Sequence, residues 1–226
     1  MRTLAILNRK IIDCTRCPRL VSYRRSVAKT KRRQYREWTY WGRPVPGFGD
    51  PNARLYVLGL APAAHGGNRT GRIFTGDRSG DWLYEALHRF GFANQPTSQH
   101  RDDGLMLSDC YVGATVRCAP PKNKPTTEEF NACRPYMAEE ILRLKKMEVI
   151  VVLGKIAFDH YFKACRELGH RPPSPLPTFG HGSRYRLPWN VTLLCSYHPS
   201  QQNTFTGKLT RSMFHSIFRA ARKEIQ

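Results

Sequence analysis

Four of the seven cysteines are spaced as ligands. Cys14-Thr15-Arg16-Cys17 is a C-x-x-C pair near the start of the chain. Cys118 and Cys133 follow far downstream, with fourteen residues between them. Four thiolates can hold zinc or a [4Fe–4S] cluster, and the spacing does not separate the two. An odd cysteine count, in a chain whose opening residues Met1 to Lys10 read as no signal peptide, speaks against a disulfide framework. Cys110, Cys165 and Cys195 fall in apolar strand or helix patterns and read as buried, inert thiols.

A second group of residues could act on a bound molecule. Asp77, in Phe74-Thr75-Gly76-Asp77, could orient a water or stabilise a cation. It could equally be a helix N-cap, because Asp77 and Ser79 both precede a helical pattern. His198 could donate to an oxygen on which charge builds, or be a satisfied loop histidine. Asn123 carries an amide donor and acceptor side by side, but asparagine is also an ordinary turn residue. Phe74 by itself reads as core. The histidines at 88, 100, 160, 170, 181 and 215 carry no such context.

These residues need elements to position them. Leu55–Leu58, Tyr111–Val116, Val149–Leu153 and Val191–Cys195 are near-continuous apolar runs, as expected of strands buried on both faces. Helical patterns alternate with them over about 81–90, 128–147, 155–168 and 208–224. This alternation predicts an α/β three-layer sandwich with a central four-stranded parallel sheet flanked by helices. Ligands in such folds sit beyond the carboxyl ends of the strands, and Asp77, Asn123 and His198 all lie in the loops that follow strands. The expectation is one domain over residues 1–226, with an N-terminal cysteine-bearing and basic segment. Arg171 to Pro177 reads as a stiff connector. No run approaches the length of a membrane span, so a soluble, intracellular protein is expected.

The formal net charge of +20 points to a polyanion. It clusters: Arg24, Arg25, Lys29, Lys31, Arg32, Arg33 and Arg36 are interleaved with Tyr35 and followed by Trp38, Tyr40 and Trp41. Such a run is often no more than a solvated arm, but it supports contact with DNA or RNA.

Several motifs in fixed order resemble one enzyme family. Cys14/Cys17 followed by Cys118 and Cys133, with Pro120-Pro121-Lys122-Asn123 between the second pair, resembles the iron–sulfur uracil-DNA glycosylases. Gly59-Leu60-Ala61-Pro62-Ala63-Ala64-His65-Gly66-Gly67-Asn68-Arg69-Thr70-Gly71-Arg72 resembles their family 5 branch. So does His198-Pro199-Ser200-Gln201-Gln202-Asn203-Thr204-Phe205-Thr206-Gly207-Lys208-Leu209. The resemblance covers about residues 10–215.

It implies a monofunctional glycosylase that flips a base out of DNA and hydrolyses its N-glycosidic bond, leaving an abasic site. No motif places a lysine for lyase chemistry. It implies a [4Fe–4S] cluster on Cys14, Cys17, Cys118 and Cys133. It makes Phe74 the platform on which the flipped base stacks, Asn123 the reader of the uracil edge, and His198 the donor to a uracil carbonyl. The first loop lacks the usual polar water-handling residue, having Ala61-Pro62-Ala63-Ala64 instead, which leaves Asp77 as the nearest carboxylate. Ala63, Ala64, His65 and Asn68 are expected to line the pocket, and small Ala64 to leave room for hypoxanthine and other deaminated or damaged bases. Pro199 to Leu209 resembles the loop that enters DNA, with Ser200, Asn203, Lys208 and Arg211 as DNA contacts. The expected partners are single- and double-stranded DNA. A cytoplasmic, nucleoid-associated monomer is expected, with no membrane.

Overall fold

A computed structural model describes residues 3–225. Its sheet has six strands in the order β1-β3-β2-β4-β6-β5. The inner four are β2 (Leu55–Gly59), β3 (Cys110–Ala114), β4 (Val149–Leu153) and β6 (Thr192–Ser196), all mutually parallel and buried along their whole length. These are the four predicted strands, within a residue or two. The edges differ from expectation: β1 (Phe48–Gly49) and β5 (Arg184–Arg186) add antiparallel strands of two and three residues. Strands this short have no periodicity to read, and they exist by pairing with a neighbour already in place.

The period of two divides each strand between two cores. Tyr56, Leu58, Ile150 and Val152 face one layer, and Leu55, Val57, Val149 and Val151 the other. Helices α1 (Leu4–Ile12), α2 (Pro18–Thr30), α5 (Thr127–Arg143) and α6 (Lys155–Glu167) cover the first face. Helices α4 (Arg78–Arg89) and α8 (Arg211–Ile225) cover the second. Short helices α3 (Gly67–Thr70) and α7 (Gln201–Phe205) lie in the loops after β2 and β6. Among the described residues no helix is long and apolar enough to cross a membrane.

The N-terminal segment is part of the first core, through Leu4, Leu7 and Ile11 of α1 and Leu20 of α2. Its basic run therefore divides in two. Arg25, Lys29, Arg32, Arg33 and Arg36 are exposed or nearly so. Arg24 is 3% exposed, on the stripe of α2 between Leu20 and Val27. Its guanidinium donates to the carbonyls of Gly42 and Cys14, so it does not belong with the exposed cations of the run. Beneath the sheet, Arg117 and Glu140 form a buried ion pair at 2.5 Å, to which Tyr56 adds its hydroxyl at 2.7 Å. The two charges pair with each other, as burial requires, while among the described residues Arg117 Nε and Glu140 Oε1 have no hydrogen-bond partner.

Candidate active site and cysteine recess

The loops after β2, β3 and β6 meet at the carboxyl end of the parallel strands. Phe74 is held in the first of them with φ 52°, a left-handed conformation unusual for an aromatic residue. Several contacts hold it there. The Tyr84 hydroxyl donates to the carbonyl of Ile73 at 2.8 Å, and Thr70 Oγ1 donates to the carbonyl of Thr75 at 3.3 Å. Gly80 carries no Cβ where one would overlap the Phe74 carbonyl. The Phe74 ring lies over Gly59, in space that a Cβ would fill, and faces the His198 imidazole at 5.8 Å between centroids. Strain of this kind costs about 1–3 kcal/mol and persists only where the surroundings over-determine it.

His198 follows β6, and its carbonyl accepts from Asn203 Nδ2 at 2.8 Å. Desolvation alone lowers its pKa to about 4, so the ring is neutral at neutral pH. Asp77 takes up one of the roles its sequence allowed. It is the N-cap of α4, with Oδ1 accepting from Gly80 N at 3.1 Å. Its Oδ2 lies against Gly66, where a Cβ would overlap it, next to Ala63. Burial raises its pKa above the usual carboxylate value, opposed by the N–H groups of Gly80 and Ser79 and by nearby Arg69.

The pocket loop is less uniform than expected. The His65 ring pairs with the Tyr40 hydroxyl at 3.0 Å through Nδ1, and burial lowers its pKa. Asn68 is fully buried and gives its amide to the carbonyls of Arg24 and Ala64, which makes it a brace for the loop. Ala63 and Ala64 are partly exposed. Asn123 lies on an exposed turn, with Lys122 and Asn123 at φ 53° and 57°. Asparagine tolerates that conformation better than most residues. Among the described residues its side chain has no hydrogen-bond partner.

Of the expected DNA contacts, Ser200 caps α7 by accepting from Asn203 N, and Asn203 is spent on the His198 carbonyl. Lys208 is exposed, with its ammonium 4.9 Å from the Tyr197 ring. Arg211 pairs with Glu85 at 2.8 Å and lies over Trp82. Sequence reasoning missed Phe205, which is 68% exposed at the end of α7 with the Arg78 guanidinium 4.4 Å over its ring. It also missed Tyr40 and Arg69, whose positions depend on contacts between distant segments.

Cys14, Cys17, Cys118 and Cys133 line one recess, together with Leu20 and Tyr136. Among the described residues no three His, Cys, Asp or Glu side chains form a group that could hold a single metal ion. Cys17 is the N-cap of α2, ahead of Pro18 at its first turn, and burial together with neighbouring Cys14 raises its pKa. Burial pushes the Cys118 thiol up to about 12 and Cys133 to about 11. Thiolates here therefore need a cationic partner. The Arg117 N–H donates to Cys133 Sγ at 3.3 Å. Arg19 of α2 grips Glu129 of α5 with bonds of 2.7 and 2.8 Å, which ties the helix that Cys17 caps to the helix that carries Cys133.

Comparison with known proteins agrees with the motifs. Residues 46–222 match the model of the "Uracil DNA glycosylase superfamily". The chain is similar to the type-5 uracil-DNA glycosylase of Mycobacterium bovis, 51% identical over 96% of this chain and 80% of that one. To the type-5 uracil-DNA glycosylase of Thermus thermophilus it is 49% identical over 93% of each chain. A type-4 uracil-DNA glycosylase of Pyrobaculum aerophilum is 30% identical over 86% of this chain and 81% of its own.

Proposed function

Because the chain belongs to the uracil DNA glycosylase superfamily and aligns along nearly its whole length with the type-5 enzymes, we propose that this site hydrolyses the N-glycosidic bond of uracil in DNA. The observation that carries the reading is the facing of Phe74 and His198 across the strand ends, with Asp77 three residues from Phe74. In the reaction the bond from C1′ to uracil N1 breaks, and its electron pair leaves with the base. A water adds its oxygen to C1′, where one of its protons stays in the new hydroxyl, and its other proton ends on the base.

Uracil turned out of the helix stacks on Phe74, a contact worth about 1–3 kcal/mol per base. The neutral His198 imidazole donates to the carbonyl on which charge accumulates. The Asp77 carboxylate stabilises the sugar cation and orients the water. Asn123, with its amide free, reads the imide edge when the base arrives. The small side chains of Ala63 and Ala64 leave space for larger deaminated bases such as hypoxanthine. Assaying single-turnover release of uracil, hypoxanthine and thymine from defined duplexes tests the reading. Failure to release uracil from any duplex would sink it.

The four cysteines fit a [4Fe–4S] cluster by donor set and by their common recess. Bound there, the cluster would serve as a structural cross-link between the N-terminal segment, the loop after β3 and α5.

Two expectations follow for DNA binding. The exposed Arg25, Arg32, Arg33 and Arg36 act on phosphates, so affinity for unmodified duplex should fall steeply with salt. Four neutralised phosphates correspond to about a 10²-fold loss between roughly 50 and 200 mM. A flat dependence would assign the charge to something else. Phe205, exposed on the loop that follows His198, fills the gap left by the flipped nucleotide. Phe205→Ala should weaken binding to uracil-containing duplex by about tenfold, the scale of losing one stacking contact. Unchanged binding, measured by titration with an uncleavable uracil analogue, would remove Phe205 from the interface.

A further inference from the structure

Arg69 is a buried cation held by carbonyls and rings, with no direct ion pair among the described residues. It is 4% exposed. Its Nε donates to the His65 carbonyl at 2.7 Å and its Nη2 to the Gly76 carbonyl at 3.2 Å, while Nη1 is buried without a partner. The guanidinium sits in a corner made by two rings of the basic arm. Its centre is 3.9 Å from the Tyr35 centroid and 4.1 Å from that of Trp38, and the two rings stand at 76° to each other. Aromatic faces and carbonyls compensate a desolvated charge in part, but a neutral side chain would stabilise this position at lower cost.

What the charge does here is geometric. One carbonyl it holds belongs to the loop that carries Ala63, Ala64 and His65. The other belongs to the residue immediately before Asp77. Gly76, at φ 79°, has no Cβ where one would overlap Nη2, so the turn is shaped around the guanidinium. Arg69 also lowers the Asp77 pKa against the effect of burial. The segment that supplies the two rings supplies the exposed Arg32, Arg33 and Arg36 as well.

We propose that Arg69 is a positioning residue for excision, held by Tyr35 and Trp38, so that the arm which grips DNA also fixes the turn carrying Phe74 and Asp77. The idea rests on the glycosylase reading and adds a coupling between arm and site. If the arm were only a phosphate clamp, losing a ring would change affinity alone. If it acts through Arg69, losing a ring changes the rate of the bound complex.

The test measures single-turnover uracil release with enzyme well above its dissociation constant, and separately the affinity for unmodified duplex. Trp38→Leu should lower the saturated rate by tenfold or more, since a displacement of about 1 Å at a reacting centre can cost about 10²-fold. Its affinity should stay within about threefold of wild type, a split opposite to that of a lost phosphate contact. Trp38→Phe, which keeps a ring over the guanidinium, should recover most of the rate. Arg69→Lys should also lose rate, because a point charge cannot span both carbonyls. Thermal melts establish that each variant folds. If Trp38→Leu does not, Tyr35→Leu and Arg69→Lys carry the same expectation. A saturated rate equal to wild type in the folded ring variants, or a loss that disappears as enzyme is raised, overturns the coupling and leaves the glycosylase reading intact. A wild-type protein that releases no uracil overturns both.

Discussion

Asp77→Asn should fold as the wild type does, bind uracil-containing duplex, and lose about 10²- to 10⁴-fold in single-turnover release, the range for a positioned group acting in the transition state. The substitution is informative because asparagine separates the helix cap that Asp77 forms from the catalytic role proposed for its charge. Asparagine caps a helix about as well as aspartate, so the bond from Gly80 N survives and α4 keeps its start. What disappears is the charge, on a carboxylate whose second oxygen lies against Gly66 beside Ala63. A merely structural Asp77 predicts a near-normal rate, and that result would move attention to His65 and His198.

The pH dependence gives a second check with a definite sign. Burial raises the Asp77 pKa above its ordinary 3.8, so the wild-type rate should fall on the acid side as the carboxylate takes up a proton. The Asn variant should lack that limb. His198, lowered to about 4, is already neutral throughout the neutral range. Crossing the ordinary histidine pKa near 6.5 should therefore leave the rate unchanged. The same histidine has a stability consequence. Its folded pKa lies below the unfolded value, so stability present above pH 6.5 is lost progressively as pH falls toward about 4, where the unfolded chain takes up the proton first.

With the proposed [4Fe–4S] cluster bound, the purified protein should be brown, and Cys118→Ala should remove the colour and the iron and cost on the order of several kcal/mol, a large share of the roughly 5–15 kcal/mol that holds a domain together. The recess lies where three segments meet. Cys14 and Cys17 bring the α1–α2 segment, Cys118 the loop after β3, and Cys133 helix α5. Losing the cross-link loosens α1 and α2, and with them the packing of Leu4, Leu7, Ile11 and Leu20. Iron and sulfide per chain, visible absorbance and thermal melting read this out. Zinc at one per chain with no iron in the wild type would replace the cluster with a zinc site. Cys165 is the control. It is buried in α6, its thiol pushed up to about 12, among apolar neighbours and away from the recess. Cys165→Ala should keep its iron and lose at most about 1 kcal/mol.

Much of this was legible from residue order. The four parallel strands announced themselves because strands buried on both faces must be apolar throughout, and Leu55–Gly59 and Val149–Leu153 are. Fold class, and the end of the sheet to inspect, followed from their alternation with helices. The spacing of Cys14, Cys17, Cys118 and Cys133 marked them as a set, and the motifs around Ala63–Arg72 and His198–Leu209 named the family. Local chemistry even allowed both roles of Asp77, because a cap needs only the next three residues.

Tertiary structure decided what depends on residues far apart in the chain. Arg24 and Arg25 are neighbours in a basic run, yet one is buried and the other exposed. Which side of α2 meets the core is set by Leu20 and Val27, and the charge pattern does not show it. The edge strands β1 and β5 exist only by pairing with β3 and β6. Asn68 and Ser200, expected against substrate and DNA, brace the backbone through the Asn68 amide and the Ser200 hydroxyl, contacts that only the folded loops reveal. Arg69 gave no signal at all within its motif. Its importance comes from Tyr35 and Trp38 on one side and the Asp77 turn on the other, and only folding brings those three segments together.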